Sequence, residues 1–80
     1  MNTILVTSTS DLKTKSISAL YFTANVTLKD IEIPRYTRGI LISAYNDSTA
    51  DGAFLGTQYN GKLYIGYRSS GAWVTVKEFA

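Results

Sequence analysis

Any chemistry done by this chain must be done without imidazole or thiol, because its 80 residues include neither histidine nor cysteine. Ser–His and Cys–His nucleophile systems are therefore excluded, as are disulfides and thiolate metal sites. Six carboxylates remain, at Asp11, Asp30, Glu32, Asp47, Asp51 and Glu78. Two of them at the right separation would suffice for glycoside hydrolysis. Their scatter over predicted loops and strand edges offers no such pair, so no enzymatic activity and no cofactor are expected. Asn46, Asp47, Ser48 and Asp51 cluster oxygen ligands, but their spacing does not match a calcium-binding loop, and such residues are ordinary turn formers. No metal is expected there.

The constellation with most chemical promise is aromatic and basic: Tyr59, Tyr64, Arg68, Trp73 and Lys77. Rings of this kind stack on the flat faces of sugars, and arginine and lysine hold the acidic groups of a charged polysaccharide. The same residues would serve equally to be covered by neighbouring subunits or by the strands between Leu20 and Val26, since exposed apolar patches mark interfaces. A smaller group, Arg35, Tyr36 and Arg38, surrounds the only proline, Pro34. It reads first as a solvated loop and second as an anion or glycan contact. Arg38–Gly39 faintly resembles an RNA-recognition signature, but Ile40 stands where an aromatic is needed. The formal charge is +2 with no basic stripe, so nucleic acid is not an expected partner.

Strands must position these side chains. Beta-branched and aromatic residues dominate, and no window carries convincing helical periodicity. Ser8 to Ser18 supports one turn or a short helix at most. Ile17–Phe22, Val26–Leu28 and Ile31–Ile33 read as strands, the last stopped by Pro34, which cannot donate to a ladder. Gly39–Tyr45 follows, then a polar loop to Gly52. Phe54–Tyr59, Lys62–Arg68 and Ala72–Phe79 form a predicted three-stranded antiparallel meander, turned at Asn60–Gly61 and at Ser70–Gly71.

If both are two-residue turns, Thr57 faces Tyr64 and Phe54 faces Tyr67 in the first hairpin. In the second, Arg68 lies across from Trp73, Tyr67 from Val74 and Ile65 from Val76. One side then carries Phe54, Gly56, Leu63, Ile65, Tyr67, Val74 and Val76 as a core. The other carries Leu55, Thr57, Tyr59, Tyr64, Arg68, Trp73 and Lys77. Both sides are partly apolar, so a single copy is expected to be incomplete. A one-residue slip would exchange the two sides.

Eighty residues make one domain, taken here as 1–80, and bury only about 60% of the unfolded chain's surface. Chains this small lean on disulfides, metals or partners, and the first two are unsupported here. Self-association is the expected reinforcement. No apolar run approaches the length of a membrane span, and Ile4–Leu5–Val6 is too brief for a signal peptide, so no membrane insertion is expected.

From Asp11 onward the order of motifs resembles the pyocin-knob family of phage tail-fibre and tailspike domains. Asp11–Leu12–Lys13–Thr14, Ile33–Pro34, Gly39–Ile40–Leu41–Ile42, the tyrosine-rich Tyr64–Arg68, Gly71–Ala72–Trp73 and Lys77 fall in the family's order. Val76 stands where a second tryptophan commonly precedes the final lysine. The resemblance implies an all-β homotrimeric module in a virion tail or tail-derived particle, made in the bacterial cytoplasm. It also implies non-catalytic attachment to host-surface polysaccharide or lipopolysaccharide, which would fall to Tyr59, Tyr64, Arg68, Trp73 and Lys77. Two alternatives keep the fold and drop the ligand: a purely structural trimerisation module of a longer fibre, or a small phage protein that binds a host factor.

Overall fold

Alternation of side chains about an extended backbone organises the chain into two β layers. The computed structural model describes residues 2–12, 17–43 and 51–80. The strands, in chain order, are β1 (Asn2–Val6), β2 (Ser18–Phe22), β3 (Val26–Leu28), β4 (Ile31–Ile33), β5 (Arg38–Ser43), β6 (Gly52–Thr57), β7 (Leu63–Ser69) and β8 (Ala72–Phe79). Six of them form one sheet in the order β1-β2-β5-β6-β7-β8, and β3 and β4 form a separate hairpin. β1 runs parallel to β2, and every other neighbour in the large sheet is antiparallel. The expected all-β architecture and its closing meander are present, with β1 added at an edge where no strand was expected. The Gly39–Tyr45 strand is seen as far as Ser43, its last two residues lying outside the described set.

A parallel pair requires the chain to cross back over the sheet, and between β1 and β2 it does so through a 3-10 turn, Thr9–Leu12. The Asp11 carboxylate closes this turn by accepting from the amides of Thr7, at 2.9 Å, and Ser8, at 3.1 Å. Leu12 is thereby delivered to the interior. The helical expectation for Ser8 to Ser18 is met by this one turn, and residues 13–16 lie outside the described set.

The core lies between one face of the sheet and a lid made by the β3–β4 hairpin and the 3-10 turn. Val6, Leu20, Phe22, Leu41, Phe54, Tyr64 and Val76 face inward from the sheet, and Leu12, Val26, Leu28 and Ile33 descend from the lid. Burial of each large apolar side chain contributes about 1.5–3 kcal/mol, which makes this layer the main source of stability. Phe54 sits at its centre, tilted against Phe22 at 6.4 Å and edge-on to Trp73 at 5.5 Å. Its cross-strand partner is Gly66, where any β-carbon would overlap the Phe54 ring.

The two turns of the meander behave differently. Ser70–Gly71 is the two-residue turn expected, with both residues at positive φ, 53° and 83°. It sets Ser69 opposite Ala72 and Arg68 opposite Trp73. The first hairpin instead closes over three residues, Tyr59, Asn60 and Gly61. Gln58 and Lys62 pair at its base, Gly61 donates to the Gln58 carbonyl at 3.0 Å, and Gly61 alone in this loop takes the left-handed conformation, at φ 87°. The pairing of Asn60's own side chain with the Lys62 amide stabilises this wider form.

The extra loop residue shifts the register by one. Thr57 faces Leu63 and Gly56 faces Tyr64, where Thr57–Tyr64 was expected. Leu63, Ile65 and Tyr67, expected in the core, therefore point to the other side, while Tyr64 and Arg68 turn inward. In β8 a bulge opposite Tyr67 and Arg68 makes a second correction: Tyr67 faces Thr75, Val74 is left exposed, and both Trp73 and Val76 point inward.

Candidate functional site: the outer face of the sheet

The five residues expected to share one aromatic–basic face are dispersed by this register. Tyr64 and Arg68 are each 1% exposed in the core layer. Trp73 is half-buried against Phe54, in the same layer. Tyr59 stands at the tip of the first hairpin, 88% exposed, and Lys77 is exposed on the opposite side of the sheet, across from Ile65. The structure brings Arg68 and Trp73 together, with the guanidinium 5.5 Å from the ring centre, but inside the molecule. There Arg68 donates to the carbonyl of Leu12 at 2.5 Å, which ties the crossover turn to β7. A buried cation with such ties is structural in the isolated chain.

Tyr64 makes the other polar tie of the layer. Burial raises its phenol above the ordinary tyrosine pKa, and the hydrogen bond it donates to Glu78, together with that carboxylate's charge, raises it further. Glu78 is opposite Tyr64 in the ladder and also accepts from Lys62 at 3.4 Å. The cross-strand partner of Tyr64 is therefore Glu78, not the expected Lys77. Of the Asn46–Asp51 cluster, Asp51 is described, and its carboxylate accepts the Ser70 amide at 2.8 Å, as a turn residue does. Asn46, Asp47 and Ser48 lie outside the described set.

What the register creates in exchange is a broad apolar outer face. Its central row runs Ala19, Ile40, Leu55, Ile65 across β2, β5, β6 and β7. A flanking row carries Ile42, Ala53 and Tyr67, and the other flank carries Tyr21, Arg38, Thr57 and Leu63. Ile40, Ile42, Leu55, Ile65 and Tyr67 each keep between 41% and 53% of their surface exposed. Between the rows lies an apolar depression of about 240 Å³, lined by Ile40, Ile42, Ala53, Phe54, Leu55 and Ile65. Among the described residues, the cations of this face are Arg38 and Lys77, which stand on β5 and β8, three strands apart, and the rows named carry no carboxylate.

The centre of this face is apolar. Among the described residues no three acidic side chains gather where they could hold a metal ion, and no helix is long and apolar enough to cross a membrane. It offers instead a site for covering apolar surface. The signal for it was present in the sequence as the unbroken runs Ile40–Leu41–Ile42 and Phe54–Leu55, since a strand with one wet side alternates and a strand covered on both sides does not. Comparison of the chain with protein-family models, with curated proteins and with solved structures gave no significant match.

Proposed function

We propose that the chain is a non-catalytic assembly module of the phage tail-fibre, tailspike or pyocin type, in which copies pack through their outer sheet faces. One observation carries the reading: the row Ile40–Leu55–Ile65 and its flanks are exposed on a sheet whose other side is already closed by a lid. Monomeric proteins seldom leave a continuous apolar patch of this breadth in water. A second copy is the occupant the dimensions favour. The molecule's two longer extents are 32 and 24 Å, and pairing faces of that size buries on the order of 1,000–1,500 Å² in total, where specific interfaces begin. Arg38 and Lys77, well separated on the face, need not meet their like at its centre. Three copies can also turn these faces inward about a threefold axis, and the motif order from Asp11 to Lys77 supports such a trimer in a virion tail as the form the packing takes.

The attachment half of the reading, contact with host-surface polysaccharide or lipopolysaccharide, loses Tyr64, Arg68 and Trp73 as a common surface. The geometry therefore favours assembly as the primary role, the alternative weighed from the sequence.

Sedimentation tests the proposal. The chain is expected to self-associate at micromolar concentration, and Leu55→Asp to return it to a monomer with unchanged β-sheet circular dichroism. A parent chain that remains monomeric at high micromolar concentration overturns the reading.

A further inference from the structure

The segment 35–38, which connects β4 to β5 and ends on the first residue of β5, is held in a conformation that its residues disfavour. Tyr36 has φ 77°, a left-handed backbone that a bulky aromatic rarely adopts. Four partners over-determine it. The Arg35 amide donates to the Asn25 side chain at 2.7 Å, and the Tyr36 amide to the Phe22 carbonyl at 2.7 Å. Thr37 donates to the Pro34 carbonyl through both its amide and its hydroxyl, and Gln58 donates its side-chain amide to the Arg35 carbonyl at 3.0 Å. A residue in this region of backbone space persists only where its surroundings over-determine it.

What the segment displays is a pair of stacked guanidiniums. Arg35 lies over the Tyr36 ring at 4.8 Å, and Arg38 over the Tyr21 ring at 5.3 Å. Stacking occupies the flat face of a guanidinium and leaves its N–H edge free, the edge that forms paired bonds to a carboxylate or phosphate. Among the described residues neither arginine is engaged in an ion pair. Glu78, on the far edge strand, is engaged by Lys62 and Tyr64. Tyr36 keeps 41% of its surface exposed, and the Gln58–Arg35 bond sets the hairpin tip, with its exposed Tyr59, beside the segment.

We propose that Arg35, Tyr36 and Arg38, with Tyr59 alongside, form a binding site for an acidic saccharide. A carboxylate or phosphate on the sugar takes a guanidinium edge, and the ring of the sugar lies on a tyrosine face. The site deepens the attachment half of the proposed function and rests on that reading; Arg38 also borders the outer face, whereas Arg35, Tyr36 and Tyr59 lie outside the strands that carry it. Two cations in a short segment suit one charged sugar residue, whereas a nucleic-acid strand needs a track of cations along its backbone.

Calorimetric titration of the full chain decides the matter, with trigalacturonate and a phosphorylated disaccharide as acidic probes, galactotriose as the neutral probe and oligothymidylate as the nucleic-acid probe. Binding of either acidic probe at least tenfold tighter than the neutral one is expected, and the two acidic arms separate a uronic-acid source from a phosphorylated one. Arg35→Ala should weaken that binding about tenfold, the loss of one charge-assisted contact, with sedimentation unchanged. Tyr36→Gly should weaken it several-fold without lowering the melting temperature, because relief of the left-handed strain offsets the entropy that glycine adds to the unfolded chain. The site is refuted by failure of both acidic probes at ~10 mM, a concentration that would reveal even millimolar affinity. Equal binding of the neutral probe, tighter binding of oligothymidylate, or full affinity in Tyr36→Gly would refute it as well.

Discussion

Tyr64 illustrates how one phenol can link packing to pH in this chain. It is buried in the core layer and hydrogen-bonded to Glu78, and both features hold its pKa above the ordinary value of 10.0. A group whose folded pKa is raised contributes its stability fully below the unfolded pKa and loses it as pH climbs through the folded one. The protein should therefore be insensitive to this group at neutral pH and weaken above about pH 10. Tyr64→Phe removes the ionising group and also the hydrogen bond, at a cost of about 0.5–1.5 kcal/mol near neutrality. Denaturant titrations across pH should show a lower plateau for the variant and a shallower alkaline decline. An equal decline in both proteins would place the alkaline sensitivity elsewhere. That Tyr64 would be inside was not legible from its type, since tyrosine is divided between interiors and surfaces.

At the scale of elements, the two hairpin turns divide the work. Gly61 and Ser70 both sit at positive φ, but only one of them is glycine. Ser70→Gly should stabilise the second turn by about 0.4–1 kcal/mol if relief of backbone strain exceeds the added unfolded-state entropy, with its amide still bonded to Asp51. Gly61→Val should cost about 1–2 kcal/mol, the penalty for placing a branched side chain in the left-handed region. Thermal or urea unfolding of the pair checks both signs. The boundaries of Val26–Leu28 and Ile31–Ile33 were readable, because Lys29–Asp30 and Pro34 bound them, whereas the first meander strand runs from Gly52 to Thr57 where Phe54–Tyr59 was expected. β1 escaped notice because a five-residue edge strand with two polar residues carries little pattern, and its parallel partner lies across a crossover.

For the whole molecule, a lid on one side and an open apolar face on the other predict that stability is tied to concentration. If copies pack through the outer face, the associated state is favoured by mass action and the melting temperature rises with protein concentration. Leu55→Asp should abolish that dependence, and calorimetry over a hundredfold concentration range would show it. A melting temperature that does not change with concentration would contradict assembly through this face.

Composition and pattern by themselves determined that the chain is all-β, that it lacks histidine and cysteine chemistry, and that both sides of its meander are partly apolar. Which side is the interior was decided only by the tertiary structure. The Asn60–Gly61 loop can close over two residues or three, and the choice reverses every side chain of β7. The choice is settled by groups distant in sequence. Gly66 admits the Phe54 ring, the carbonyl of Leu12 receives Arg68, and Glu78 receives Tyr64, so that the three-residue turn fits a closed layer. A local pattern with period two carries no information about those partners, and so the candidate residues could be listed from the sequence but not assigned to a face.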